Sequence, residues 1–391
     1  MQDATAIDAA ALVRAEAAGI DPVRLGRLVD RVRREVDEGL LPAVQIAVAR
    51  EGAVAFSASF GAAGPRSIFS VFSATKALTA SAAWLLLQED RLRLAEHVAA
   101  IVPEFAANGK EAVTVEQLFT HTAGFPNAPF RPLDWLDPER RRARWRQWRL
   151  DWPPGSRFEY HPTSTMWVIA ELIERRSGMT FTDFVRTRVI EPLGLRDLFL
   201  GLPAAENDRV VPCLPVGDPL TAADYEELGI PPPPVTEVTE DAILSFNNPE
   251  IRAVGVPGGG AITSAADLAL FWQALLHGGL GGTRIWSDAT LAAARRVRTG
   301  DFTDPLYRKP ASRGLGIVIA GDASRHYRGF GHTNSPATIG HNGAGGQLAW
   351  ADPVSGLSFA YVTGGHDRNP VREARRGVAI SSLAAVLAEP V

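Results

Sequence analysis

The chain has 391 residues, 46% of them hydrophobic, with a formal net charge of −4 and a single cysteine, Cys213. That balance predicts a soluble globular protein with a large core, in one large or two closely joined domains. It excludes an intrachain disulfide, gives no electrostatic footprint for nucleic acid, and leaves no run near the ~20 uncharged apolar residues of a membrane span.

Met1–Asp8 has no basic n-region, and Asp8, Arg14 and Glu16 interrupt its apolar residues, so no signal peptide is expected and a cytoplasmic location follows. Residues 1–20 are Ala-rich and read as a helix or a frayed end. Asp21-Pro22 starts a helix in which Leu25, Leu28, Val29, Val32 and Val36 recur at helical spacing up to Gly39. Ala43–Arg50 and Ala53–Phe60 flank Glu51-Gly52, a hairpin signal. A short apolar run then enters a helix near Ser73 that continues to Leu87.

After a turn at Gln88–Leu94, Val98–Pro103 and Val115–Phe119 read as short helical pieces. Arg140–Trp152 interleaves arginines with tryptophans. Nucleic-acid and membrane surfaces use that composition, but a helix with a packed Trp face and solvated arginines is favoured in an acidic chain. Helices are expected at Thr165–Ser177 and Phe181–Val189. Residues 201–256 lack periodicity and include the stiff run Pro231–Pro234; an irregular insert of this length suits a pocket wall. The glycines at 258–260 precede a capped helix, Ala265–His277, without the Lys-Ser/Thr of a phosphate loop. Strands follow at Leu315–Ala320, Ala337–Gly340, Gln347–Asp352 and Leu357–Thr363, and a last helix at Val378–Leu387.

The order is strands, then helices, then strands again. It predicts an α+β fold in which residues 1–80 and 250–391 build one domain from both chain ends. Residues 81–249 form a mainly helical domain, with the irregular wall at about 201–249.

Three stretches carry chemistry. Ser73 and Lys76 are three residues apart at a helix start, so their side chains share a face. A serine hydroxyl needs a base beside it, and a lysine packed among Phe72, Ala77 and Ala80 is desolvated, which favours the neutral amine. Tyr160 precedes a helix; a cation beside it favours the phenolate, which can take the serine proton and later activate water. Gly340-His341-Asn342-Gly343-Ala344 lies between two strands, where an edge can supply a backbone N–H to an oxyanion. Rival chemistries lack their motifs: the eight histidines show no His-Glu-x-x-His, so no metal site is expected, and no Gly-x-Ser-x-Gly elbow is present.

Taken together, Ser73-Ala-Thr-Lys76, Leu118-Phe-Thr-His-Thr-Ala-Gly124, Pro154-Gly-Ser-Arg-Phe-Glu-Tyr160, Glu191-Pro-Leu-Gly-Leu195, Pro257–Ser264 and Gly340–Gly343 resemble the serine β-lactamase-like family. That family includes class C β-lactamases, family VIII carboxylesterases and D-aminopeptidases, and the likeness spans roughly residues 22–388. The resemblance implies a β-lactamase/transpeptidase-like fold, an antiparallel sheet flanked by helices with an inserted helical domain. It implies Ser73 as nucleophile, Lys76 and Tyr160 as the base pair, and His341, Asn342 and Gly343 at the lactamase Lys-Thr-Gly strand. Ala344 would give the second oxyanion N–H. Two departures, Pro162 where class C lactamases have Asn and His341 where they have Lys, look more like the esterase branch.

The expected activity is ester hydrolysis through an acyl-enzyme, with no cofactor. Trp135, Trp145, Trp148 and the insert are candidate pocket residues for an apolar or aromatic ester. An amide or peptide hydrolase, or a weak β-lactamase, is the first alternative, and a non-catalytic binding or sensor protein is the second.

Overall fold

The computed structural model describes residues 9–232 and 236–389. Part of the Pro231–Pro234 run, and the Met1–Asp8 segment, lie outside the described residues. A short helix, Ala9–Ala17, precedes the helix Pro22–Asp37, whose cap Asp21 accepts hydrogen bonds from the N–H groups of Val23 and Arg24. Strands β1 (Ala43–Arg50) and β2 (Ala53–Gly61) form the expected hairpin, with Glu51 and Gly52 both at positive φ. Near the other end of the chain come β3 (Val318–Ile319), β4 (Ile339–Gly340), β5 (Leu348–Asp352) and β6 (Leu357–Thr363). All six make one antiparallel sheet in the order β3-β4-β5-β6-β1-β2.

Alternation along the strands divides the core in two. On one face Ala43, Ala47, Ala49, Ala349, Ala351 and Ala360 are almost all alanine, so the apolar helix Ala265–His277 lies close against the sheet. Buried Gln273 locks that helix, donating to the carbonyls of Ala49 and Gly356 and to the Ser358 hydroxyl. On the other face larger side chains (Val44, Ile46, Val48, Trp350, Phe359, Tyr361) meet the two terminal helices. Arg376 there bridges buried Glu35 and Asp367, tying the first long helix to the last.

The last helix is Pro370–Ala384 and begins eight residues earlier than the sequence pattern suggests, because Asn369 caps it and Pro370 takes its first position. The strand expected over Leu315–Ala320 pairs only at Val318–Ile319, since Gly316 turns the chain at φ 72°. Residues 201–256 are not structureless: Leu214–Val216 pairs in parallel with Gly365–Asp367, and short helices form at Ala222–Leu228, Glu240–Leu244 and Pro249–Val254. Among the described residues no helix is long and apolar enough to cross a membrane, and no three potential ligands are grouped to hold a metal ion.

The helix Thr75–Gln88 is buried on all sides over Thr75–Leu86 and packs against the helix Ser164–Ser177. A helix buried all round is a rigid internal post, and its first turn is a fixed platform.

Candidate active site

Ser73 stands at that platform, within a tight turn Phe72–Ala74 that leads into the helix. Phe72 sits at φ 44°, a left-handed conformation that costs a bulky residue about 1–3 kcal/mol and needs support. Its ring meets Phe246 edge to face at 5.6 Å. A strap from residues 256–263 holds the backbone. The Val71 N–H donates to the Ala261 carbonyl, the Ala261 N–H to Thr75 Oγ1, and the Thr79 hydroxyl to the Pro257 carbonyl. The glycine run thus braces the nucleophile turn: a Cβ on Gly260 would lie 2.4 Å from the Val256 nitrogen.

Lys76 is fully buried, and its Nζ donates to Ser73 Oγ at 3.1 Å and to the Gly258 carbonyl at 2.9 Å. A carbonyl only accepts, so one N–H is always given to Gly258. The rest of the nitrogen can then donate to Ser73 Oγ as an ammonium or take its proton as an amine, without moving. The same Nζ lies 5.1 Å from the centre of the Tyr160 ring.

Tyr160 is held by two histidines whose roles the sequence did not show. The His161 N–H donates to His121 Nδ1 at 3.2 Å, and the His121 ring lies 4.9 Å from the Tyr160 ring. His161 Nδ1 faces the Glu159 carbonyl at 2.6 Å and must carry the proton; its Nε2 then accepts from the Phe125 N–H at 3.1 Å. The loop of the Leu118–Gly124 motif is thereby stitched to the backbone of Tyr160. Burial drives His121 well below the ordinary histidine range and His161 down to about 3.

A histidine held neutral in the native state binds a proton more readily when unfolded, so its stabilisation is present above pH ~6.5 and lost as pH falls toward 3. His161→Asn is therefore expected to remove about 1.4 kcal/mol per pH unit of acid sensitivity below pH ~6. Urea unfolding of both proteins between pH 4.5 and 7 checks this, and equal slopes would refute it.

The segment after β4 brings the third group of residues. The His341 N–H donates to the Ala349 carbonyl and the Gly343 N–H to the Gln347 carbonyl. A Cβ on Gly343 would stand 2.1 Å from the Val71 carbonyl, so only glycine lets this segment close on the nucleophile turn. The Ala344 N–H beyond it makes no hydrogen bond among the described residues, and the Ser73 N–H lies in a first helical turn where donors have no intrahelical acceptor. The buried His341 ring lies 6.2 Å from that of Tyr160 and is held neutral, well below its ordinary range, by burial and then by the Lys76 and Arg313 charges. Its Nδ1–H donates to the Asn342 carbonyl, and its buried Nε2 has no hydrogen-bond partner among the described residues. One N–H of the Asn342 side-chain amide donates to the Gly329 carbonyl at 3.0 Å.

The tryptophans expected at the pocket are a correction. Trp135, Trp145 and Trp148 are buried in the helical core, where Trp145 stacks on Phe130, Phe130 on Trp167, and Trp148 meets Phe125. The arginines of the same stretch form ion pairs, Arg141 with Glu171 and Glu174, and Arg144 with Asp134. Apolar surface beside Ser73 comes from the insert instead: Cys213, Val238, Ile243, Leu244 and Phe246 cluster with Phe72 and Ala344. Glu237 sits there as well, hydrogen-bonded by the Thr163 hydroxyl and pushed up to about 7 by burial.

The structure thus brings Ser73, Lys76, Tyr160, His341 and Gly343 together from three separate segments. Known proteins share this arrangement of chain. A family model described as Beta-lactamase matches residues 28–383. The crystal structure of a penicillin-binding protein homologue from Caulobacter crescentus is 29% identical, with 94% of this chain and 98% of that chain covered at a TM-score of 0.76. The crystal structure of a family VIII carboxylesterase is 26% identical, with 94% and 99% covered at a TM-score of 0.75. A Salmonella agona protein provisionally named a D-alanyl-D-alanine carboxypeptidase is 24% identical over 90% of this chain and 85% of its own length. The fold is the β-lactamase/transpeptidase-like one.

Proposed function

Because the chain belongs to the Beta-lactamase family, a family of serine hydrolases, we propose that it cleaves carboxylic esters through an acyl-enzyme on Ser73. The observation that carries the reading is the fully buried Lys76 Nζ, 3.1 Å from Ser73 Oγ and, among the described residues, with only the Gly258 carbonyl as its other hydrogen-bond partner. Ser73 Oγ attacks the ester carbon as its proton passes to the Lys76–Tyr160 pair. The oxyanion is taken by the N–H groups of Ser73 and Ala344. Collapse expels the alcohol, which recovers the proton; water then attacks the acyl carbon with Tyr160 as base, and breaking the Ser73 Oγ–acyl bond releases the acid and returns the proton to Oγ. The side chains and backbone supply every transfer in this scheme.

Ester preference is supported by what replaces the lactamase groups. A neutral His341 stands in place of a permanent cation, and Pro162 brings no amide for a substrate side chain. The apolar cluster around Phe72 and Phe246 suits an apolar or aromatic acyl chain. The name of the Salmonella relative favours a second reading, amide or peptide cleavage by the same residues.

Hydrolysis of p-nitrophenyl butyrate, a D-alanine p-nitroanilide and a chromogenic cephalosporin separates the readings. Ester turnover is expected to exceed the other two by about 100-fold or more in kcat/KM, close to 3 kcal/mol of selectivity. Faster anilide or cephalosporin turnover would move the protein to the amidase or lactamase branch.

A further inference from the structure

Arg313 is an unused cation at the edge of this site. Its guanidinium carbon lies 5.5 Å from the Tyr160 ring centre and 5.5 Å from that of Phe158. Its charge reaches the site, since it helps hold both His121 and His341 neutral. Its Nε is buried without a hydrogen-bond partner, and its side chain makes no hydrogen bond or ion pair among the described residues. Nearby arginines are not left so: Arg298 pairs with Glu116 and Arg328 with Asp322. A half-buried guanidinium needs an acceptor, because the unpaired charge is costly to keep away from water. The backbone fixes it in place, with the Arg313 N–H donating to Thr299 Oγ1 and its carbonyl accepting from the Arg298 N–H.

We propose that Arg313 binds a carboxylate on the alcohol half of the ester, so that the preferred substrates are anionic esters. The choice of half follows from placement. The apolar cluster of Phe72, Phe246 and Ala344 takes the acyl chain, whereas Arg313 stands against Tyr160, which returns the proton to the departing oxygen. A planar guanidinium meets a carboxylate through two parallel N–H donors, and neither Lys76 nor neutral His341 offers that fork.

The proposal rests on the acyl-enzyme reading, and two measurements keep them apart. The first compares kcat/KM for 4-acetoxybenzoate and 4-acetoxybenzamide, which share the acetyl group and differ in charge. Wild type is expected to favour the anionic ester, and Arg313→Gln to lower that ratio by about 10- to 100-fold, with Arg313→Lys between. The second is calorimetric binding of 4-acetoxybenzoate to Ser73→Ala and to Ser73→Ala/Arg313→Gln, which needs no turnover. Weaker binding in the double variant supports the proposal even if wild type cleaves neither ester, an outcome that would remove the esterase reading alone. Cleavage of both esters with an unchanged ratio in Arg313→Gln overturns the proposal and leaves the esterase reading standing. A preference for mono-4-nitrophenyl adipate over 4-nitrophenyl hexanoate that is lost in Arg313→Gln, without any for 4-acetoxybenzoate, overturns the assignment to the alcohol half.

Discussion

Ser73→Ala is expected to lower kcat on any accepted ester by about 10⁴-fold, leaving only what the oxyanion donors and substrate positioning provide. The fold should tolerate the change. The hydroxyl is half-buried, and its one hydrogen bond among the described residues is from Lys76, which keeps the Gly258 carbonyl. A loss of about 1 kcal/mol or less in unfolding free energy is therefore anticipated. Steady-state rates with urea unfolding of the same preparation check both halves. A fluorophosphonate adduct should appear on the peptide containing Ser73 in wild type only. More than a hundredth of wild-type activity in the alanine variant would sink the nucleophile assignment.

Lys76→Met carries the second large effect. Methionine nearly matches the lysine stem in length but can neither take nor give a proton, so kcat should fall about 10³-fold, within the range for removing a general base. Stability has two opposed terms. A fully buried nitrogen disappears, which is favourable when the group is charged, and the Gly258 carbonyl loses its donor, at about 1–3 kcal/mol. Thermal unfolding close to wild type alongside the collapse of kcat would place the effect on chemistry. A variant retaining a tenth of the rate would show that Tyr160 alone serves as base.

The parts of the site that were legible in the sequence are those set by local geometry. Ser73 and Lys76 declare themselves because three residues are nearly one helical turn, and the hairpin at Glu51-Gly52 because its turn needs positive φ twice. The last helix was half hidden because Arg376, on its inward face, is buried against Glu35 and Asp367; a polar residue facing the core breaks the apolar period. The tryptophans misled for a related reason: composition does not tell a ring stacked inside a core from one lining a cleft. Arg313, His121 and His161 gave no local signal. Each acts through partners far away in the chain or, for Arg313, through the lack of one, and only the folded arrangement shows that.

The sheet closes by joining β1 to β6, where Thr363 Oγ1 donates to the Ala43 carbonyl from 320 residues away in the sequence. A ribosome adding ~5–20 residues per second therefore leaves the exposed edge of β1 waiting roughly 15 to 60 s for its neighbour. Over that interval an alanine- and valine-rich strand has its hairpin mate on one side and open donors and acceptors on the other. The helical middle of the chain, rich in short-range contacts, can condense first and serve as the body on which the sheet is later completed. The nucleophile turn, braced by residues 256–263 and closed by Gly343, is then among the last features to be assembled during synthesis.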